Sequence, residues 1–441
     1  MNRTFFTLLL LNLLHPFSHA NVLNNWHQWR GPLATGEAPK AKPPTSWSEQ
    51  DNIKWKAPIP GIGHSTPIVW EDSIILTSTS PTGPKLPPPP PQPPGAHNNI
   101  DAHRKHQFSV ISIDRNTGTI RWQTNVRTAR PIGSTHETGT WASASPITDG
   151  KNIFAYFGSN GLYCLSFEGK VLWERQLGPF TMKHGHGEGA SPALHNQTLV
   201  VNCDHEGQSF VTAINTQNGK EIWRKNREEP TSWATPIIAY PDTHPQAIIL
   251  GTKAIRSYDL KTGSVLWSCR GLSHNVVASP IHADDTLLAG SSYDTRAIIA
   301  INTKNAKGDL THTDHVLWRS NLRPPYVPSP LLANNTLYYL RHYQNILTQR
   351  HAKTGESTHP TVRLSGLLNI YASPVAANGN LYITDQQGTT LVLDQKTTTP
   401  KATNDLEEPI NSSLAIAGNQ LFIRGSKHLY CIEDMPNRTS K

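Results

Sequence analysis

The chain has 441 residues, 36% of them hydrophobic and 16% charged, with 30 Gly, 35 Pro and a formal charge of 40 − 32 = +8 beside 21 His. Length alone admits two domains, while the Gly and Pro content suits an all-β protein rich in turns. Lys and Arg are scattered through turns, without a run or an aromatic-interleaved stripe, which argues against nucleic acid and leaves only weak attraction to acidic envelope polymers.

At the start of the chain, Arg3, the apolar run Phe5 to Leu14 and Ser18-His19-Ala20 read as a secretory signal, residues 1–20, cleaved after Ala20. No other stretch approaches the ~20 apolar residues that a membrane-spanning helix needs. The first cysteine is Cys164, so no lipid-acceptor cysteine follows the signal. The expectation is a periplasmic or secreted protein. Residues 21–51, with Trp26, Trp29 and Trp47, form an irregular arm that plugs onto the wall of the repeat region downstream.

From residue 52 to 435 one phrase keeps returning: a small residue, Ser or Thr, then Pro, opening an apolar strand. It stands at Ser65-Thr66-Pro67, Ser145-Pro146, Ser191-Pro192, Thr235-Pro236, Ser279-Pro280, Ser329-Pro330 and Ser373-Pro374, and in weaker form at Ser412-Ser413-Leu414. Proline lacks a donor and is tolerated at a strand start. Successive prolines lie 79, 46, 44, 44, 50 and 44 residues apart. A period of about 40–45 residues is one four-stranded propeller blade. The eight starts, near 65, 144, 190, 234, 278, 328, 372 and 411, predict an all-β, eight-bladed β-propeller. Most units end in a Gly turn and a Trp, as at Gly118 and Trp122, Gly169 and Trp173, Gly219 and Trp223, and Gly263 and Trp267. So regular a period points to blade packing, since a cofactor-stacking set has to converge at one place.

The repeat is interrupted in several places. Blade one carries a long insertion containing the polyproline run Leu86 to Gly95, read as a stiff surface loop. Residues 127–141 form a second long connection, and blade five is extended from Asn305 to His315. Blade seven's ending, Gln395 to Glu408, lacks the Gly-Trp signature and reads as a loose loop. The eighth unit supplies three strands; the fourth is expected from Asn52 to Lys56, so that the two chain ends pair and close the ring. Residues 436–441 are a tail. The cysteines Cys164, Cys203, Cys269 and Cys431 show no CxxC spacing and read as buried small hydrophobes, with a Cys164–Cys203 disulfide left open.

The residues just before each inner strand gather at the channel mouth. They supply His64, Trp141, Trp233, His274, Asn275, Tyr326, Tyr371 and Asn411 as a candidate ligand-binding ring. His184-x-His186-x-Glu188, if extended, presents three metal-ligating side chains on one side. Asp204, His205 and Glu206, on a turn of the same face, would complete a transition-metal shell; hydrogen-bonding loop residues are the alternative. His136, His97, His103 and His106 read as surface histidines, with a position over the mouth as the other option. No Ser-His-Asp order, phosphate loop or paired-carboxylate motif stands out.

Ser-Pro-apolar, then Leu-Tyr-Cys-Leu or Val-Ile-Ser-Ile-Asp, then Thr-Gly-x-x-x-Trp resembles the pyrroloquinoline-quinone (PQQ) repeat of quinoprotein dehydrogenases and of BamB-type outer-membrane assembly propellers. Trp26-His27-Gln28-Trp29-Arg30-Gly31-Pro32 is similar to exported PQQ-like propellers of unassigned function. As a dehydrogenase, the resemblance implies PQQ with calcium in the mouth, gripped by adjacent cysteines, a stacking Trp and an acidic set. Adjacent cysteines are missing, and no acidic trio aligns. As an assembly-type module, it implies a monomeric platform without a cofactor for an envelope protein or small ligand. The expectation is the binding module, with the quinoprotein as alternative.

Overall fold

The computed structural model describes residues 22–241 and 244–435 and is nearly all β; the leader-like residues 1–20 and the tail 436–441 lie outside the described residues. Eight four-stranded antiparallel units form the ring, one of them joined by an extra strand. Blade three is representative, with strands Ala193–His195, Thr198–Cys203, Phe210–Asn215 and Glu221–Asn226 in sequence order. Blade eight is completed by Ile53–Pro58, which pairs antiparallel with His428–Ile432, Lys56 opposite Tyr430. The chain ends therefore close the ring, and no open edge remains between first and last blade.

The recurring Ser or Thr forms a girdle. In each case its backbone N–H donates to the hydroxyl of the equivalent residue one blade on: Thr66 to Ser145, Ser145 to Ser191, Ser191 to Thr235, Thr235 to Ser279, Ser279 to Ser329, Ser329 to Ser373 and Ser373 to Ser413, all at 2.9 Å. The eighth junction is different. Arg424 of blade eight donates to the Ser65 hydroxyl at 2.6 Å and to the Ser65 carbonyl at 3.3 Å.

The outer edges are joined by tryptophan. Trp55, Trp122, Trp173, Trp223 and Trp318 donate their indole N–H to Arg115, Phe167, Thr216, Leu260 and Ala352 carbonyls of the next blade at 2.6–3.0 Å. Each ring lies over a turn glycine. At Gly219, φ is +68° and a Cβ would stand 2.8 Å from the Trp173 ring, so no side chain fits either the conformation or the space.

Blade seven corrects the sequence reading. Pro400–Asp405 is a regular outer strand, not a loose loop. Asp394 caps its turn by accepting from the backbone N–H groups of Lys396 and Thr397, and Thr398, at φ +55°, takes the glycine position. Blade six ends in the short strand Val362–Arg363 with no Trp, so no indole ring covers this turn and a side chain fits. Blade five's extension contributes Gly308–Asp309, a fifth strand parallel to Trp267 and Ser268 of blade four. The four cysteines are free and buried, so no Cys164–Cys203 bridge forms.

The N-terminal arm crosses the channel opening opposite the mouth. Trp26 exchanges two backbone hydrogen bonds with Val69, and the Ala38 and Lys42 N–H groups donate to Ala376 and Gly418 carbonyls. Buried Arg30 donates to the Pro330 and Pro374 carbonyls at 2.8 and 2.9 Å.

Removing one girdle hydroxyl strands a buried donor on its neighbour. Ser329→Ala should lower stability by about 1–3 kcal/mol, read as a lower urea midpoint, whereas Ser329→Thr should stay near wild type because the Thr235 hydroxyl already accepts the equivalent bond from Ser191. Equal midpoints for Ser329→Ala and wild type would show that the girdle carries no stability.

Candidate functional site

At the mouth the channel widens into a cavity of about 470 Å³, floored by Trp29 of the arm and ringed lower down by the girdle hydroxyls. Five of the eight expected ring residues line it: His64, Trp233, Tyr326, Tyr371 and Asn411. Trp141 instead turns into a neighbouring chamber, packing edge-on against His106 at 4.8 Å. His274 faces outward and pairs with Asp294 at 2.6 Å. Asn275 sits behind the wall, accepting from Lys183 at 2.8 Å and donating to the Tyr326 hydroxyl at 3.5 Å.

One wall is an aromatic ladder. Tyr293 stacks on Tyr326 at 5.9 Å, Tyr326 on His342 at 4.3 Å, and Tyr343 on Tyr371 at 5.7 Å, with His342 and Tyr343 tilted at 4.6 Å. Sequence reasoning misses Tyr293, His342 and Tyr343. They stand on second-to-third-strand turns, which emerge on the mouth face in every blade; the sequence reading uses that rule for Asp204, His205 and Glu206 alone.

The opposite wall is a histidine cluster drawn from three segments. His186 lies 4.7 Å from His97 and 4.8 Å from His136, and His184 lies 5.5 Å from His186, all between ring centroids. His97 and His136 thus line the mouth, His97 remaining exposed to solvent; His103 is exposed, and His106 is buried, not a surface residue. His97 and His136 arrive on a clip of two short strands, Asn99–Ile100 and Thr135–His136. The blade-one insertion is thereby tied over the His184 loop: Asn99 donates to the His184 carbonyl at 2.7 Å and accepts from His186 Nδ1 at 2.9 Å, while His184 Nδ1 reaches the Pro94 carbonyl at 3.2 Å. Burial, then the neighbouring His136, His97, His184 and Lys183, push the His186 pKa down to about 4, so its ring is neutral near pH 7. His64 is likewise held down to about 4, by burial and by the Arg424 charge behind it.

The six residues expected to form a metal shell do not come together. His184 adopts φ +54° within a tight turn, which breaks the alternation an extended segment needs. Glu188 turns inward and accepts from the backbone N–H and hydroxyl of Ser159. Asp204 forms a fully buried ion pair with Arg227 at 2.7 Å and also accepts from Ser232. Glu206 accepts from the Thr231 N–H at 3.1 Å, and His205 turns back on the Gln208 carbonyl. Among the described residues no group of three or more His, Cys, Asp or Glu is placed to hold a metal ion.

Two buried cations stand behind the residues that line the mouth: Arg30 follows Trp29, and Arg424 donates to Ser65, next to Thr66. Among the described residues neither forms an ion pair; desolvation alone pulls each down to about 9, which leaves both charged at neutral pH. Arg30 Nε and Nη1 have no hydrogen-bond partner.

The model of a family described as outer membrane protein assembly factor BamB matches residues 106–359 and 208–440. Over 227 residues the chain is 23% identical to the tetrathionate hydrolase of Acidithiobacillus ferrooxidans; the match covers 48% of this chain and only 44% of that protein's length. Among solved structures, a europium-containing methanol dehydrogenase superposes with a TM-score of 0.63 at 11% identity, over 92% of this chain and 90% of that one. The quinohemoprotein alcohol dehydrogenase from Comamonas testosteroni gives 0.66 at 8% identity, over 96% and 82%. At such identities these likenesses are of fold.

Glu188 generates a pH prediction. Burial pushes its carboxyl up from 4.5 to about 7, against the pull of the two Ser159 donors. Between pH 4.5 and 7 the unfolded chain ionises this group while the folded chain keeps it protonated, so folding loses stability as pH rises through that window. The loss is ~3 kcal/mol at most, at 1.36 kcal/mol per pH unit. Glu188→Gln should remove this slope, seen as a smaller difference between urea midpoints at pH 5 and pH 8 than in wild type. Identical slopes would place the ionisation elsewhere.

Proposed function

The chain belongs to the propeller family described as outer membrane protein assembly factor BamB, and from that premise we propose that it is an exported binding propeller of the cell envelope whose covered mouth takes a small anionic ligand. What supports this is the closure of the channel. The arm floors it with Trp29 and the chain's own insertion ties down one side, leaving about 470 Å³, within the range of small-molecule sites. A platform for a second protein needs its mouth loops free, and here residues 94–99 already occupy the His184 loop. What supports an anionic ligand is Arg30 and Arg424, two cations behind the lining with no carboxylate partner among the described residues, whose field reaches the mouth through a medium of low dielectric. Tyrosine and girdle hydroxyls add hydrogen-bond donors. The exported setting rests on the leader-like residues 1–20.

A catalytic reading has one observation in its favour: the match to a tetrathionate hydrolase, whose named substrate is a dianion and suits the same charge. Calcium with PQQ finds no matching donors. The cysteines are buried in four separate blades, and of the two carboxylates lining the mouth, Glu137 and Glu188, the second is held by Ser159.

The test is titration of the purified protein with sodium tetrathionate, thiosulfate and sulfate, and separately with PQQ plus calcium, by tryptophan fluorescence and calorimetry. Saturable binding of at least one dianion is expected. It should weaken as salt is raised, and its fluorescence change should shrink in Trp29→Phe. Absence of saturable binding across the dianions in folded protein would sink the reading, and tight PQQ binding would replace it with the quinoprotein.

A further inference from the structure

Beside the mouth, beneath the proline run Pro89 to Pro93, lies a second chamber of about 440 Å³. It is separated from the mouth by the Gly187-Glu188-Gly189 segment, which lines both spaces. Its walls are apolar and aromatic, with Trp141, Phe157, Phe180 and Met182 each less than a tenth exposed. Two acceptors stand at its inner end. The Glu188 carboxyl is packed so closely over the 158–160 turn that a Cβ on Gly158 would overlap it. Asn160, 2% exposed, also lines this chamber, and among the described residues its buried side-chain oxygen has no hydrogen-bond partner.

The neighbouring donors are already committed. Ser159 gives both its N–H and its hydroxyl to Glu188, the Phe180 N–H goes to Ser159 Oγ at 2.8 Å, and the Asn160 amide N–H goes to the Phe157 carbonyl at 3.4 Å. The indole N–H of Trp141 is used on the Gly133 carbonyl at 3.2 Å. The charged groups that also line the chamber, Asp101 and Arg130, belong to the insertion and the 127–141 connection; Arg130 Nε donates to the Ala102 carbonyl at 3.0 Å, while its Nη2 has no hydrogen-bond partner among the described residues. Around Glu188 and Asn160 the chamber therefore offers two acceptors beside aromatic faces, with the Tyr156 hydroxyl turned to the Cys203 sulfur at 3.9 Å and the Arg130 guanidinium on the insertion side.

We propose that this chamber binds a primary organic amine with an aromatic or apolar body, its ammonium group received by Glu188 and the Asn160 side-chain oxygen. An ammonium has three donors and no acceptor, which matches two acceptors. The rings supply faces that attract a cation and area that buries the body. Among the described residues no cation is paired with Glu188, whose titratable neighbours are Tyr156 and Cys203, and burial holds its carboxyl up to about 7. An incoming ammonium supplies the missing charge, so binding near pH 7 is accompanied by release of the Glu188 proton.

The probe is 2-phenylethylamine, with 2-phenylethanol as the neutral isostere, titrated by calorimetry at pH 8 into wild type, Glu188→Gln and Asn160→Leu. Expected are saturable amine binding at least tenfold tighter than the alcohol, a loss of tenfold or more in Glu188→Gln, and a smaller loss in Asn160→Leu, with alcohol binding little changed. In wild type alone, amine affinity should rise between pH 6 and 8, and buffers of different ionisation enthalpy should reveal the released proton; this arm holds even where a variant fails to fold. Amine bound no tighter than alcohol, or a pH-independent affinity, overturns the proposal. Tetrathionate binding at the mouth should survive Asn160→Leu, so failure of one site is told apart from failure of the other.

Discussion

Everything in this propeller hangs on one repeated hydrogen bond: a backbone N–H at the inner end of each blade donated to a Ser or Thr hydroxyl on the next. Seven such bonds have the same length, 2.9 Å, and they hold neighbouring blades at a constant spacing where the inner strands begin. The residue that comes next is proline in seven units; with no N–H of its own, it leaves no second donor to satisfy there. At the eighth junction the arginine Arg424 spans to Ser65 instead, which places a buried cation where the ring closes. The structural ring and the cavity wall are the same atoms, because girdle residues also line the mouth.

Much of the fold was legible because a repeat writes its constraints many times. The Ser/Thr-Pro phrase gave the blade count, and the placement of Trp55 near the N-terminus implied the closing strand. What the serine hydroxyl does was not legible, since its partner lies about 44 residues away on another sheet. Blade seven's outer strand escaped because its marks are relational: Gly is required at such a turn only when a Trp from the preceding blade covers it, and blade six has no Trp to send. The mouth was read in part. Residues preceding inner strands were found by position, whereas His97 and His136 reach the site through a two-strand clip formed by an insertion and a connection, neither of which follows the repeat.

The two cavities have different polar surroundings. Behind the mouth lining stand Arg30 and Arg424, cations held from solvent. The side chamber has the Glu188 carboxyl and the Asn160 oxygen on one side and the Arg130 guanidinium on another. A wall of Gly187, Glu188 and Gly189 divides them, and glycine on both sides of the carboxylate lets the backbone pass between the spaces without filling either one. Buried polar groups left without partners cost stability, and those beside a cavity are the ones an incoming ligand is able to satisfy.

The arm that floors the mouth is the first part of the described chain, yet its partners are among the last. Arg30 is anchored 300 and 344 residues away, and Trp47 donates its backbone N–H to Asn404, 357 residues away. Contacts so distant in sequence form late, after the intervening chain has ordered. The mouth is therefore incomplete until the last blades are in place: its floor is held by blades six and seven, and the ring by its final strand. The side chamber, lined by residues 89–190 alone, asks for no such distant partner.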